Sequence, residues 1–212
     1  MREFWDNRFA ASEYVYGTAP NAYLLAHHAL YRPGQRVLCV GDGEGRNGVW
    51  LARRGLEVTS VDFSRQALAK AEALAQHHGV VVNTVCADLV GWDCPRDHFD
   101  HVVSIFLHLP PPQRRMVHAS MFRALRPGGW LLMEAFHPEQ VHHDSGGPRD
   151  LNMLYSSITL REDLMDGEFR ELAEVAVHLD EGPGHQGRAA VTRALIRRPE
   201  ADAGGGAGPG MP

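Results

Sequence analysis

The chain has 212 residues, 44% apolar and 22% charged, with a net charge of −5. That balance suits one soluble domain with a full core, and the negative charge sets up no field that would gather nucleic acid. No run approaches a membrane span or a signal peptide's apolar segment, and Cys39, Cys86 and Cys94 make neither a disulfide framework nor a metal-spaced pair. A cytoplasmic protein without metal, membrane or nucleic-acid partner is expected; its oligomeric state is left open.

Residues 1–18 are rich in aromatics (Phe4, Trp5, Phe9, Tyr14, Tyr16). Two readings stand: a cover packed on the core, or a flap that closes over a ligand with Tyr14 and Tyr16 reaching in. Pro20 and Asn21 open a helix over 22–30, with Tyr23, Leu24 and Leu30 inward, and Pro33-Gly34 is a turn. Val37 to Val40 is apolar without alternation, as in a parallel strand buried on both faces. Gly41, Gly43 and Gly45 follow at once, then a helix over 47–54, a stop at Gly55, and a second strand over 56–61 ending at Asp62.

Ser64 caps a helix over 65–78, Gly79 stops it, and 80–85 reads as a third strand before Asp88. A fourth strand covers 99–106. The prolines at 110–112 begin a helix with Met116, Val117, Met121 and Leu125 inward. Arg126-Pro127-Gly128-Gly129 is a sharp break before a fifth strand over 130–136. Residues 137–155 form a long polar loop, either functional or mobile. Thr159 caps a short helix ending at Gly167, and strands over 169–180 and 188–197 flank the Gly182-Pro183-Gly184 turn. From Pro199 the chain is low-complexity, so 199–212 is expected to be a disordered tail. Strands alternating with helices and ending in a hairpin make an α/β, doubly wound, mostly parallel sheet with helices on both faces and one antiparallel strand.

In such sheets ligands bind outside the carboxyl ends of the strands. Gly41, Gly43 and Gly45 let a ligand approach the main chain, and Asp62 offers a carboxylate to paired hydroxyls. The dinucleotide fingerprint G-x-G-x-x-G fails at Arg46, and Glu44 would repel phosphates, so a phosphate-free, positively charged ligand suits the loop better.

The span 36–136 resembles a class I S-adenosylmethionine-dependent methyltransferase. Val40 to Gly45 resembles that superfamily's first motif, and Asp62 matches its ribose-binding acid. Asp88-Leu89 matches its adenine pair, Phe99 to Ser104 its fourth-strand motif, and Leu125 to Gly129 its turn into strand five. The GEGRN run and the YGTAPN leader are similar to the tellurite-resistance and thiopurine methyltransferase-like group. The resemblance implies strand order 3-2-1-4-5-7-6 with strand seven antiparallel. It implies one Rossmann-like methyltransferase domain over 1–198, with 1–32 its N-terminal flap and helix. It also implies S-adenosyl-L-methionine held by Gly41, Asp42, Gly43, Gly45, Asn47, Asp62, Phe63, Asp88, Leu89 and Ser104. For Arg46 and Asn47 contact with cofactor or substrate stands beside a plain helix start; for Phe63, adenine stacking stands beside core packing.

The expected reaction is in-line attack by a small-molecule acceptor on the cofactor's methyl, which demands alignment above all. Tyr14, Tyr16 and Phe106 are candidates to face the sulfonium. His108 is the candidate base, and Tyr14, Tyr16, His137 and Arg149 are candidates for the acceptor, although a surface or hydrogen-bonded role is the favoured account of His108, His137, His142 and His143, and a solvated surface the default for Arg149. Two rivals remain: a nicotinamide-dependent oxidoreductase and a non-catalytic S-adenosylmethionine-binding protein.

Overall fold

The computed structural model describes residues 2–200. Its strands are β1 (Arg36–Val40), β2 (Glu57–Asp62), β3 (Asn83–Cys86), β4 (Phe99–Ile105), β5 (Leu125–Phe136), β6 (Glu168–Asp180) and β7 (Gln186–Arg197). They form one seven-stranded sheet in the order β3-β2-β1-β4-β5-β7-β6. β7 runs antiparallel to both neighbours, and the other pairings are parallel. This is the expected order and the expected antiparallel strand.

β1 shows why its apolar run lacks alternation. Val37 and Cys39 enter the core layer that holds Val49 and Leu51, whereas Leu38 and Val40 enter the opposite layer with Val117 and Met121. The sheet divides the core, so both faces of a central strand are buried. Helices α2 (Ala22–Ala26), α3 (Arg46–Arg53) and α4 (Arg65–His77) lie on the first side; α5 (Pro111–Ala124) and α6 (Ser157–Asp163) lie on the second. The leader folds as a further helix, α1 (Arg2–Arg8).

Several boundaries differ from expectation. Val80 is not in β3, because its N–H still closes the end of α4 on the Ala75 carbonyl, and Val81 is 86% exposed. The helix expected over 22–30 stops at Ala26 and gives way to a 3₁₀ turn, His28–Leu30. Met116 is 55% exposed; α5 buries Arg114, Val117, His118, Met121 and Ala124 instead. β4 stops at Ile105, since Phe106 turns to a left-handed φ of 53°. β5 begins before its Gly-Gly pair: Phe99 faces Leu125 and His101 faces Trp130, so the expected break is an irregularity inside the strand. Ser156, not Thr159, caps α6; its Oγ accepts from the Thr159 N–H, and the helix ends at Asp163. The loop 137–155 is tied down: Gln140 Oε1 accepts from Ala190 N at 2.9 Å, and Ser145 Oγ donates to the Arg188 carbonyl at 2.7 Å. From residue 201 on, the expected tail lies outside the described residues.

Candidate functional site

At the carboxyl edge of the sheet lies a cavity of about 920 Å³. Its floor is the turn between β1 and α3, and its walls come from the ends of β2, β4 and β5, from α1 and from the β6–β7 hairpin. Gly41 and Gly43 hold left-handed φ angles of 59° and 56°, which carry the turn back over the strand end. Asp62 staples that turn in place. Its Oδ2 accepts from Gly43 N at 3.0 Å and its Oδ1 from Ser64 N at 2.9 Å, while burial raises the carboxyl's pKa against these bonds.

Asp42 accepts from Ser60 Oγ at 2.6 Å and from Gly48 N at 3.3 Å. Burial pushes its carboxyl up to about 7, with the nearby Asp62 carboxylate acting in the same direction. Gly45 has a different task from Gly41 and Gly43. It does not line the cavity; at φ 82° it caps α3, and a Cβ there would stand 2.5 Å from the Ala71 methyl of α4. Close helix–strand approach falls to Gly48, whose Cβ would stand 2.5 Å from both Asp42 Oδ2 and Ser60 Oγ. Glu44 does not repel a ligand in the way its place in the sequence implies. Glu44 is buried and ion-paired with Lys70, so it presents no free charge to a ligand.

Arg46 and Asn47 open α3 into the cavity within a buried network. Arg46 Nη2 pairs with Glu181 Oε2 at 2.6 Å, and its Nη1 has no partner among the described residues. Asn47 Oδ1 accepts from Asn21 N at 2.9 Å. Asn21 Nδ2 donates to Glu134 Oε1 at 2.6 Å and to Glu181 Oε1 at 2.9 Å. The network joins the leader, the glycine turn, β5 and the hairpin, so the two sides of the cavity are held in one register.

Phe63, Asp88 and Leu89 line the cavity beyond Asp62. Ser104 does not: it is buried mid-strand, paired with Val40 and Met133. Tyr16 lines the cavity, but Tyr14 turns away and donates its hydroxyl to the Lys70 carbonyl at 3.1 Å. His108 lines it with both ring nitrogens engaged. Nδ1 donates to the Met153 carbonyl at 2.7 Å, and Nε2 accepts from Phe136 N at 3.3 Å. Burial lowers its pKa to about 4, so His108 stands as a neutral brace between β4, β5 and the loop rather than a free base. His137 and Arg149 are outside the cavity. His137 Nδ1 accepts from Glu139 N at 3.1 Å, and Arg149 is exposed and bound to Asp144 at 2.6 Å.

The sequence reading missed His185. It follows the hairpin turn, is 6% exposed, and packs its ring 4.4 Å from Tyr16 and 4.5 Å from Phe106. The implied strand order held the signal: strand six runs parallel to its sheet, so the turn after it must lie at the ligand edge. Trp5, Phe9 and Phe136 complete the aromatic wall, with Trp5 stacked on Phe9 at 5.5 Å and Phe106 on Phe136 at 4.5 Å. Among the described residues no group of three or more His, Cys, Asp or Glu side chains is placed to hold a metal ion, and no helix is long and apolar enough to cross a membrane.

Residues 37–129 match the family model described as a methyltransferase domain. A sterol 24-C-methyltransferase, ERG6A of Gibberella zeae, is 26% identical over 146 residues, covering 64% of this chain and 38% of that protein. The chain thus spans about two fifths of the length of the curated relatives it matches. Among solved structures, TehB from Haemophilus influenzae superposes with a TM-score of 0.70 at 20% identity, over 93% of this chain and 66% of that one. The N-methyltransferase NodS from Bradyrhizobium japonicum WM9, in complex with S-adenosyl-l-homocysteine, superposes with a TM-score of 0.68 at 16% identity, over 94% of this chain and 98% of that one.

Proposed function

We propose, from the match of residues 37–129 to a methyltransferase-domain family model, that the chain is a class I S-adenosylmethionine-dependent methyltransferase and transfers a methyl group to a small-molecule acceptor. The observation that carries this is Asp62, a buried carboxylate stapled to the glycine turn at the cavity's floor. The donor groups present fit the cofactor. Asp62 would take the ribose hydroxyls, and Phe63, Asp88 and Leu89 the adenine side. The orphan Nη1 of Arg46 meets the need of the cofactor's carboxylate. When bound, S-adenosylmethionine supplies a methyl on a positively charged sulfur, open to in-line attack.

The chain's part is to hold, orient and exclude water. The network through Asn21 and Glu181 fixes the turn against the hairpin, and the aromatic wall closes the cavity on the side where an acceptor would enter. The volume, about 920 Å³, is at the upper end of small-ligand pockets (roughly 300–1,000 Å³) and leaves room for an acceptor beside the cofactor. We read residues 1–198 as one such domain.

Calorimetric titration with S-adenosylhomocysteine and with NAD tests the reading. Binding of the first and not the second is expected; the reverse would return the site to a nicotinamide enzyme. Cofactor binding without labelled methyl transfer to any acceptor in a broad panel would leave a non-catalytic binding protein.

A further inference from the structure

Six buried side-chain polar atoms lack a hydrogen-bond partner among the described residues, on Glu44, Arg46, His101, Gln113, His118 and His185. Two of these are met by charge: Glu44 pairs with Lys70, and His118 Nδ1 stands 2.8 Å from Asp163. Of the other four, Arg46, Gln113 and His185 all line the cavity. Folded proteins leave few buried polar groups unpaired, and each unpaired group costs about 1–3 kcal/mol. Their gathering around one cavity marks groups reserved for a ligand. Arg46 answers to the cofactor's carboxylate, which leaves two uncharged groups, the Gln113 amide oxygen and the His185 imidazole, for the acceptor.

The charges in the cavity are unevenly placed. Its carboxylates, Asp42, Glu44, Asp62 and Asp88, all come from the glycine turn, the end of β2 and the segment after β3. Around His185 there are aromatic rings instead: Tyr16 at 4.4 Å, Phe106 at 4.5 Å and Phe136 at 5.3 Å. The charges nearest it are the Arg8 guanidinium, 5.5 Å above the Tyr16 ring, and Arg46, which bears on His185 but is already paired with Glu181 at 2.6 Å. Burial, then Arg46, His108 and Arg8, lower the His185 pKa to about 3, so its ring stays neutral at physiological pH. A cationic acceptor would meet Arg8, and an anionic one would be buried against the negative faces of the aromatic rings, because Arg46 is already matched by Glu181. A flat uncharged ring bearing a hydroxyl would stack on the aromatic wall and give the imidazole its missing partner.

We propose that His185 is an acceptor-contacting, specificity-determining residue, and that the acceptor is a neutral, planar aromatic molecule bound through a hydroxyl at the imidazole. This rests on the methyl-transfer reading of the cavity, and the test separates the two. The protein is first titrated with S-adenosylhomocysteine; absence of binding there defeats the methyltransferase reading itself. The loaded protein is then titrated with four shape-matched probes: 2-naphthol, 2-naphthoate, 2-naphthylmethylamine and decahydro-2-naphthol. Naphthol is expected to bind at least about tenfold more tightly than either charged probe, and more tightly than the saturated alcohol. His185→Phe, which keeps a ring in place, should cost naphthol at least about tenfold in affinity while leaving S-adenosylhomocysteine unchanged. Equal or tighter binding of a charged probe or of the saturated alcohol overturns the proposal. So does an unchanged naphthol affinity in the variant, or the failure of all four probes on protein that binds S-adenosylhomocysteine.

Discussion

Replacing Asp62 by alanine probes the site at its centre. The carboxylate accepts from Gly43 N at 3.0 Å and Ser64 N at 2.9 Å, joining the glycine turn to the cap of α4. Hydrogen bonds to a charged group contribute roughly 1.5–3 kcal/mol each. Removing two of them is partly offset by relief of the burial that raises this acid's pKa, so the expected loss of stability is only about 1–2 kcal/mol. Cofactor binding loses more. Two ribose hydroxyls on the carboxylate represent roughly 3–6 kcal/mol gross, and water replaces part of that in the variant. With about 1.4 kcal/mol per factor of ten, the dissociation constant of S-adenosylhomocysteine should rise by at least about tenfold and by up to about a thousandfold. Urea denaturation gives the first quantity and isothermal titration calorimetry the second. Asp62→Asn keeps one acceptor oxygen, so it should recover part of the stability and little of the affinity. A folded Asp62→Ala protein that binds S-adenosylhomocysteine as tightly as the parent would refute the reasoning.

The pH response has two opposed parts. Asp42, held up at about 7 against an ordinary value of 3.8, keeps its proton in the folded state after the unfolded chain has lost it. Its contribution to ligand-free stability is therefore present at low pH and lost as pH rises towards 7, whereas affinity for the cationic cofactor should rise over that range and then level off. Calorimetry from pH 5.5 to 8.5 checks this, and Asp42→Asn should flatten the profile. His101, His108 and His185 act the other way on stability. Folding holds them at about 4, 4 and 3 against an ordinary 6.5, so their contribution is full above 6.5 and lost as pH falls towards 4. Three such groups outweigh one, and urea midpoints should drop between pH 6.5 and 5. Gly45→Ala should cost roughly 2–4 kcal/mol, through a left-handed φ and the 2.5 Å approach to Ala71, and appear as a lowered melting temperature with cofactor contacts otherwise intact. Arg46→Met strands the buried Glu181 carboxylate and should cost about 3–5 kcal/mol, part of which the double variant with Glu181→Leu should restore; strict additivity of the two would contradict a coupled pair.

Much of the architecture was legible because it depends on periodicities of a few residues. The unalternating run at Val37 to Val40, the glycines after it and the acid closing the next strand each state a local requirement: burial on two faces, a left-handed turn, a strand end. Ser64 as a helix cap is of the same kind. What failed locally did so where packing decides. Met116 has the spacing of a buried residue, but α5 turns Arg114 and His118 inward to meet Asp163. Val81 looks like strand, but it lies next to a helix end at the sheet's edge.

The glycine-turn side of the cavity could be read from the chain because one contiguous unit, β1 to β2, builds most of it. The hairpin side could not. Tyr16, His108, Phe136 and His185 are far apart in sequence and meet only because β6 runs parallel and delivers its hairpin to the same edge as β4 and β5. Likewise, Glu44 carries a formal charge in the sequence, and only the approach of Lys70 from α4 cancels it. Short-range pattern determined which strands and turns form and where a ribose would be held. Long-range contact alone decided which charges remain free, which histidines stay neutral and which unpaired polar side chains line the cavity, because each of these depends on what is buried beside them.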